Sequence, residues 1–147
     1  MRKFELTTDT KMRFGKKLFR IKALIDFGNV KEGEKGGYIE KEENLSQSGN
    51  AWVSGNAEVY GNAEVSGNAW VSGNADYATA SGFGSEYRTT TFFRLKNSDE
   101  IGVRCGCFYG TLKEFKEKVK ETHGETKKAK EYLMLADLME YRFSEEK

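Results

Sequence analysis

Residues 48–77 read SGNAWVSGNAEVYGNAEVSGNAWVSGNADY, nearly the same six residues five times over. Valine recurs at 53, 59, 65 and 71, and Tyr77 and Phe83 continue the count of six. Two residues before each stands a small one: Ala51, Ala57, Ala63, Ala69, Ala75 and Ser81. Side chains two apart on a strand share a face, so each Ala-x-Val pair is expected to point inward. The Gly-Asn that follows reads as a corner, because these two residues tolerate positive φ better than others. The spacing extends backward: Ile39 and Leu45 are six apart, and a two-residue slip in SQSGNAWV joins Leu45 to Val53. That makes about eight hexads over residues 37–84.

With alanine and valine in these places, the block resembles the hexapeptide-repeat family. The resemblance implies a short left-handed parallel β-helix with three hexads per triangular coil. It supplies the left hand, since ordinary crossovers are right-handed. It also implies a homo-oligomer, a trimer first, because members of the family commonly associate through their flat faces. The expected fold class is therefore mainly β with α. Such a short solenoid has open ends that need covering. Residues 1–36 read as an N-terminal β cap with Phe19, Ile21, Leu24, Ile25 and Phe27 apolar. Residues 85–147 read as a ββαα cap: two strands joined by a turn at Asn97-Ser98-Asp99-Glu100, then two helices. Thr111 and Glu114 form a capping box for the first helix, which ends at Gly124. The second, near 126–143, carries Ala129, Tyr132, Leu133, Ala136, Met139 and Phe143 at helical spacing.

The chain has 147 residues, 37% of them hydrophobic and 32% charged, with no proline. No apolar run approaches the roughly 20 residues that span a bilayer, and no membrane partner is expected. The start, MRKFELTTDTKMRFGKK, lacks the apolar core of a signal peptide. Cys105 and Cys107, one residue apart, are too close and too few for a disulfide framework. These features predict a reduced, cytoplasmic protein. Net charge is +1, unevenly spread. Residues 1–36 hold ten basic and five acidic side chains, residues 37–84 one and six, residues 85–147 thirteen and twelve.

Two further stretches are distinctive. GGYIEKEENLSQSGNAWV running into the repeats, and GCFYGTLKEF followed by KETHG, resemble small proteins of phages and prophages of Gram-positive bacteria. That resemblance implies a bacterial host cell as the setting and carries over no catalytic residue.

At three hexads per coil, residues 18 apart stack. Trp52 and Trp70 would then form an outward ladder, with Arg88 above Trp70 in cation–π range. The ladder is expected to be a subunit interface, with cover by the C-terminal helices as the alternative. Glu58 and Asp76 stack likewise, and an outward acidic column is read as solvated rather than metal-binding.

Catalysis finds little support. A three-histidine zinc site, which some hexapeptide-repeat enzymes use, is excluded by the single histidine. An acyltransferase base could only be His123, which reads instead as a helix C-terminal residue. Cys105 and Cys107 read as buried small hydrophobes. The repeat glycines are corners, not a phosphate-binding loop. No enzyme activity, cofactor or metal is expected. Arg104 and Phe108, alternating away from the cysteines, together with Arg88, Arg94, Tyr87, Phe92 and Phe93, form an arginine–aromatic cluster suited to phosphates and a stacked base. The expected ligand-binding set is Arg88, Arg94, Arg104, Tyr87, Phe108 and His123. The expected function is non-catalytic: sequestration of a small anionic nucleotide immune signal, a cyclic ADP-ribose type or a cyclic dinucleotide, in pockets of the oligomer. A protein-binding module that uses the Trp52/Trp70 face against a host or virion protein is the alternative, and a degenerate acyltransferase a third. Nucleic acid is disfavoured: Lys16, Lys17, Arg20 and Lys22 make only a short basic patch beside acidic repeats.

Overall fold

Residues 4–23 mix β-branched, polar and apolar side chains around a Phe14-Gly15 break, the pattern of a hairpin. The computed structural model describes residues 2–83, 88–96, 99–106 and 108–144, with Asn74 and Arg88 placed by backbone alone. In it these residues form β1 (Phe4–Arg13) and β2 (Lys16–Ala23), closed by the Arg13–Lys16 pair. Both turn residues hold positive φ, 50° at Phe14 and 78° at Gly15, as two-residue turns that match strand twist require. The chain divides into two compact units, Met1–Asp76 and Tyr77–Lys147.

In the first unit β2 pairs antiparallel with β3 (Lys35–Ile39), and β3 pairs parallel with β5 (Glu58–Val59). A separate two-stranded parallel sheet joins β4 (Trp52–Val53) to β6 (Trp70–Val71), and Leu45 bridges Val65. The repeat alanines 51, 57, 63 and 69 and valines 53, 59, 65 and 71 are buried, with Phe4, Ile21, Ile39 and Leu45 around them. The glycines at 49, 55, 61 and 67 take positive φ at the corners.

The expected left-handed parallel β-helix of about eight hexads does not form. The sheets are small and mixed, with no solenoid sheet, because the segment read as an N-terminal cap shares its sheet with the repeat: order β1-β2-β3-β5. The repeat also stops early. The Gly-Asn corner recurs through 73–74, but the next place in the count holds Thr79-Ala80. Without a corner residue the chain runs straight on, and Tyr77–Phe83 becomes β7 of an antiparallel sheet.

Two positions show how tightly β3 lies against the repeat. A Cβ on Gly36 would meet the carbonyl of Val53 at 2.5 Å and Trp52 Cζ2 at 2.7 Å. One on Gly37 would meet the Ala57 carbonyl at 2.6 Å and Val53 Cγ1 at 2.8 Å. Side chains then tie the loops. Asn44, fully buried, accepts from the Glu40 and Lys41 amides and donates to the Gly61 and Ala63 carbonyls. Gln47, from the two-residue slip, accepts from the amides of Lys3 (2.7 Å) and Phe4 (3.2 Å). Lys3 is buried, its Nζ 2.7 Å from the Ala51 carbonyl and 4.8 Å from the Phe27 ring centre, and desolvation lowers its pKa to about 8.

In the second unit β7, β8 (Arg88–Arg94), β9 (Ile101–Cys105) and β10 (Phe108–Thr111) make an antiparallel sheet in the order β10-β9-β8-β7. Helices α1 (Leu112–His123) and α2 (Lys127–Phe143) pack on one face. The predicted capping box is present: Thr111 Oγ1 accepts from Glu114 N, and Glu114 Oε1 accepts from Thr111 N. Gly124 closes α1 at φ 60°, and Thr126 caps α2 through Ala129 N. Phe92 and Val103 of the sheet meet Leu112, Phe115, Val119, Ala129, Tyr132, Ala136, Met139 and Phe143. The expected ββαα cap at 85–147 thus holds three strands, β8 to β10, and takes β7 from the end of the repeat segment as a fourth. Of its expected turn, Asn97 and Ser98 lie outside the described residues.

Gly37→Ala is expected to cost about 2–3 kcal/mol by overpacking, read from the urea midpoint. Gly73→Ala, whose Cβ would meet nothing within 4 Å, is expected to change it by less than about 0.5 kcal/mol.

Candidate functional site

Cross-strand pairing assigns each residue of the second unit to a face. Ala80–Thr90–Cys105–Phe108 and Ala78–Phe92–Val103–Gly110 run across the helix-covered face. Thr79–Thr91–Arg104–Tyr109 and Tyr77–Phe93–Gly102–Thr111 run across the other. Phe108 therefore shares a face with Cys105, not with Arg104. The reason is the turn: Cys105 pairs with Phe108, and Gly106 at φ 58° interrupts the strand alternation on which the sequence reading relied.

The arginines separate through the β8–β9 register: Arg104 pairs with Thr91, three residues from Arg94 on β8 and so on the opposite face. Arg94 lies toward the helices, donating to the Phe143 carbonyl at 3.2 Å with its guanidinium 5.1 Å from the Phe143 ring centre. There it complements the C-terminus of α2. Arg104, on the opposite face, donates from Nε to the Gly106 carbonyl at 2.9 Å. Phe92 is buried in the helix-side core, and Phe93 is buried on the other face, stacked on Tyr109. The expected cluster is split between two faces. Tyr87 and Cys107 lie outside the described residues, and Arg88 is placed only as the first residue of β8.

What the fold does bring together is Phe108, Cys105 and His123. They line a cavity of about 170 Å³ with Phe115, Lys118, Val119, Thr122 and Tyr132. His123 stacks on Tyr132 at 6.1 Å, Tyr132 meets Phe115 edge-on at 5.5 Å, and Phe115 meets Phe108 at 5.6 Å. Cys105 Sγ accepts from Thr90 Oγ1 at 3.2 Å. Among the described residues that line the cavity none is a carboxylate, whereas Lys118 and His123 are present. A second, wider hollow of about 560 Å³ shares none of these residues and is lined by Lys120, Gly124, Glu125, Ala129, Lys130 and Leu133. Aromatic walls with cations at the edge accept a flat ring bearing an anionic group. Among the described residues no group of three or more His, Cys, Asp and Glu is placed to hold a metal ion.

Three surface readings change. Trp52 is fully buried, edge-on to Phe27 at 5.3 Å, so it is no outward interface residue. Its backbone does pair with Trp70, which is half-buried. Phe27 and the absent side chain of Gly36 make room over the indole that repeat spacing could not reveal. Glu58 is not solvated either. Paired with Tyr38, it lies under the β1–β2 hairpin and accepts from Arg13 Nε (2.8 Å) and Nη2 (2.9 Å), with Lys11 Nζ at 2.5 Å. These bonds, Arg13 first, hold its carboxyl at about 2, below the usual 4.5. Asp76 accepts from the amides of Ser72 and Gly73 and from the Ser72 hydroxyl, holding its own turn. Three of the four cations of the basic patch have acid partners: Lys16 pairs with Glu40 at 3.6 Å, Arg20 with Asp9 and Lys22 with Glu5.

One apolar feature escaped the sequence reading. Met134, Leu138 and Tyr141 are 69%, 55% and 81% exposed on the outer side of α2. Their spacing of four and three was readable, but the stronger core stripe on the same helix masked it. Among the described residues no helix is long and apolar enough to cross a membrane. Compared with models of known protein families and with curated proteins, the chain matches none.

Arg94→Leu is expected to destabilise by about 1 kcal/mol through the lost helix-end contact, read from the urea midpoint. Glu58→Gln removes a carboxylate whose stabilisation is complete above pH 4.5 and disappears as pH falls toward 2. The variant should be less stable than the parent in urea near neutral pH, with the gap closing across that window.

Proposed function

We propose that the protein is a non-catalytic binding protein for a small anionic ligand that seats one flat ring in the protein. The single observation behind this reading is the cavity of about 170 Å³ walled by Phe108, Phe115 and Tyr132, with Lys118 and His123 in its lining. The cavity lies below the roughly 300–1,000 Å³ of drug-sized sites, so it takes a base or comparable ring rather than a whole dinucleotide. The anionic part of the ligand would meet Lys118. A nucleotide satisfies both demands. The resemblance of the flanking stretches to phage proteins favours nucleotide immune signals, of the cyclic ADP-ribose or cyclic dinucleotide type. The protein would act by sequestration, in the cytoplasm of a bacterial host.

A protein-binding role is the second reading. The observation favouring it is the exposed Met134–Leu138–Tyr141 row, which replaces the tryptophan face as the available apolar surface.

Thermal-shift and calorimetric titration with cyclic and linear ADP-ribose derivatives, cyclic dinucleotides and coenzyme A tests the proposal. A ligand at about a hundredfold excess over its Kd should stabilise the protein by about 2.7 kcal/mol. Lys118→Glu should weaken binding about tenfold or more, by charge reversal at the cavity edge. Recovery of the ligand unchanged is expected. No response across the panel would overturn the proposal, and turnover of an acyl-coenzyme A that is lost in His123→Ala would replace it with the acyltransferase reading.

A further inference from the structure

The end of β1 and the start of β2 read KMRFGKK (residues 11–17): four cations, no acid and two large apolar side chains. Cross-strand partners share a face, so Met12 lies with Lys17, and Lys11 and Arg13 with Leu18 and Lys16. The hairpin is inverted in polarity. Lys11 and Arg13 turn inward to the buried Glu58, while Met12 is 64% and Phe14 85% exposed. Among the described residues Phe14 is the only non-glycine with positive φ. The first central place of such a turn favours Asn, Asp or Gly, and a bulky aromatic there is strained. Strain and an exposed ring both work against the isolated protein, and an outlier of this kind points to a use beyond the fold.

We propose that this tip docks on the surface of a bilayer containing anionic phospholipid. Phe14 and Met12 enter the headgroup boundary, and Lys16, Lys17 and the exposed part of Arg13 meet lipid phosphates. Among the described residues the acids ion-paired with the tip are Glu58 and Glu40, two against its four cations. Duplex nucleic acid fits less well: residues 1–76 hold eleven cations and eleven acids, so no wider basic footprint surrounds the tip. A second copy fits less well too, since two side chains fall far short of the roughly 800 Å² per partner of a stable interface, and two such tips repel. A convex tip with a cationic rim needs only a soft anionic boundary, and with one anchor the attachment is reversible.

The discriminating substitution is Phe14→Asn, which relieves the turn while deleting the ring. The full chain would be sedimented with vesicles of phosphatidylcholine, alone or mixed with phosphatidylglycerol at about 2:1. Binding is expected on the mixed vesicles only, weaker in about 0.5 M salt. Phe14→Asn should bind about tenfold more weakly yet melt at an equal or higher temperature, and Lys17→Glu should also bind more weakly. The proposal is overturned if the wild type leaves mixed vesicles unbound, if Phe14→Asn binds as well as wild type, or if pure phosphatidylcholine serves equally. Retention of a DNA duplex by the wild type, lost in Phe14→Asn, would overturn it in favour of nucleic acid.

Discussion

The first unit depends on two missing side chains. Gly36 and Gly37 let the backbone of β3 close to 2.5–2.6 Å, measured from where a Cβ would stand, on the carbonyls of Val53 and Ala57. Only at that approach can β3 pair with β5, and only then does the Trp52 ring find room over Gly36. The pairing sets Tyr38 beside Glu58, and Glu58 in turn gathers Arg13 and Lys11 from the hairpin. Tyr38 receives Lys11 Nζ at 4.1 Å and the Arg20 guanidinium at 4.4 Å from its ring centre. One close backbone contact thus arranges a buried carboxylate, its cations and the outward turn of Met12 and Phe14. A buried ion group of this kind contributes to specificity as much as to stability, because only one hairpin position satisfies it.

The local grammar of the repeat was legible. Its corner glycines and its inward alanines and valines follow from strand period and from φ preference, both short-range properties. The assembly of those hexads was not. Spacing alone reports which residues face inward; it does not report which backbone edge each short strand will meet. Here the β1–β2 hairpin supplies that edge to β3, and the parallel solenoid gives way to a mixed sheet. The loss of the Gly-Asn corner at Thr79-Ala80 was visible in the chain, but the unbroken count of six to Tyr77 and Phe83 obscured it. The helices were legible almost to the residue, since the Thr111–Glu114 box and Gly124 are local signals.

The site was legible in part. His123 and Phe108 line one cavity, yet the arginines expected beside them are divided by the sheet. Strand alternation was extended through Gly106, where the chain turns, and one misplaced turn moved Phe108 to the other face. Trp52 failed differently. Its outward register in the repeat is real, but residues distant in the chain cover it, and no local pattern announces cover of that kind.

The parallel pairings of the first unit also govern how it is assembled in time. They join residues 20 apart (Tyr38–Glu58, Leu45–Val65) and then 18 apart (Trp52–Trp70). Each closes a loop of nearly equal length, so each carries nearly the same loss of chain entropy. The antiparallel sheet and helix pair of the second unit are built mainly from sequence neighbours and close shorter loops. The second unit is accordingly the faster to organise. In the first, the β1–β2 hairpin is the most local pairing, and each parallel pairing of the repeat closes a longer loop.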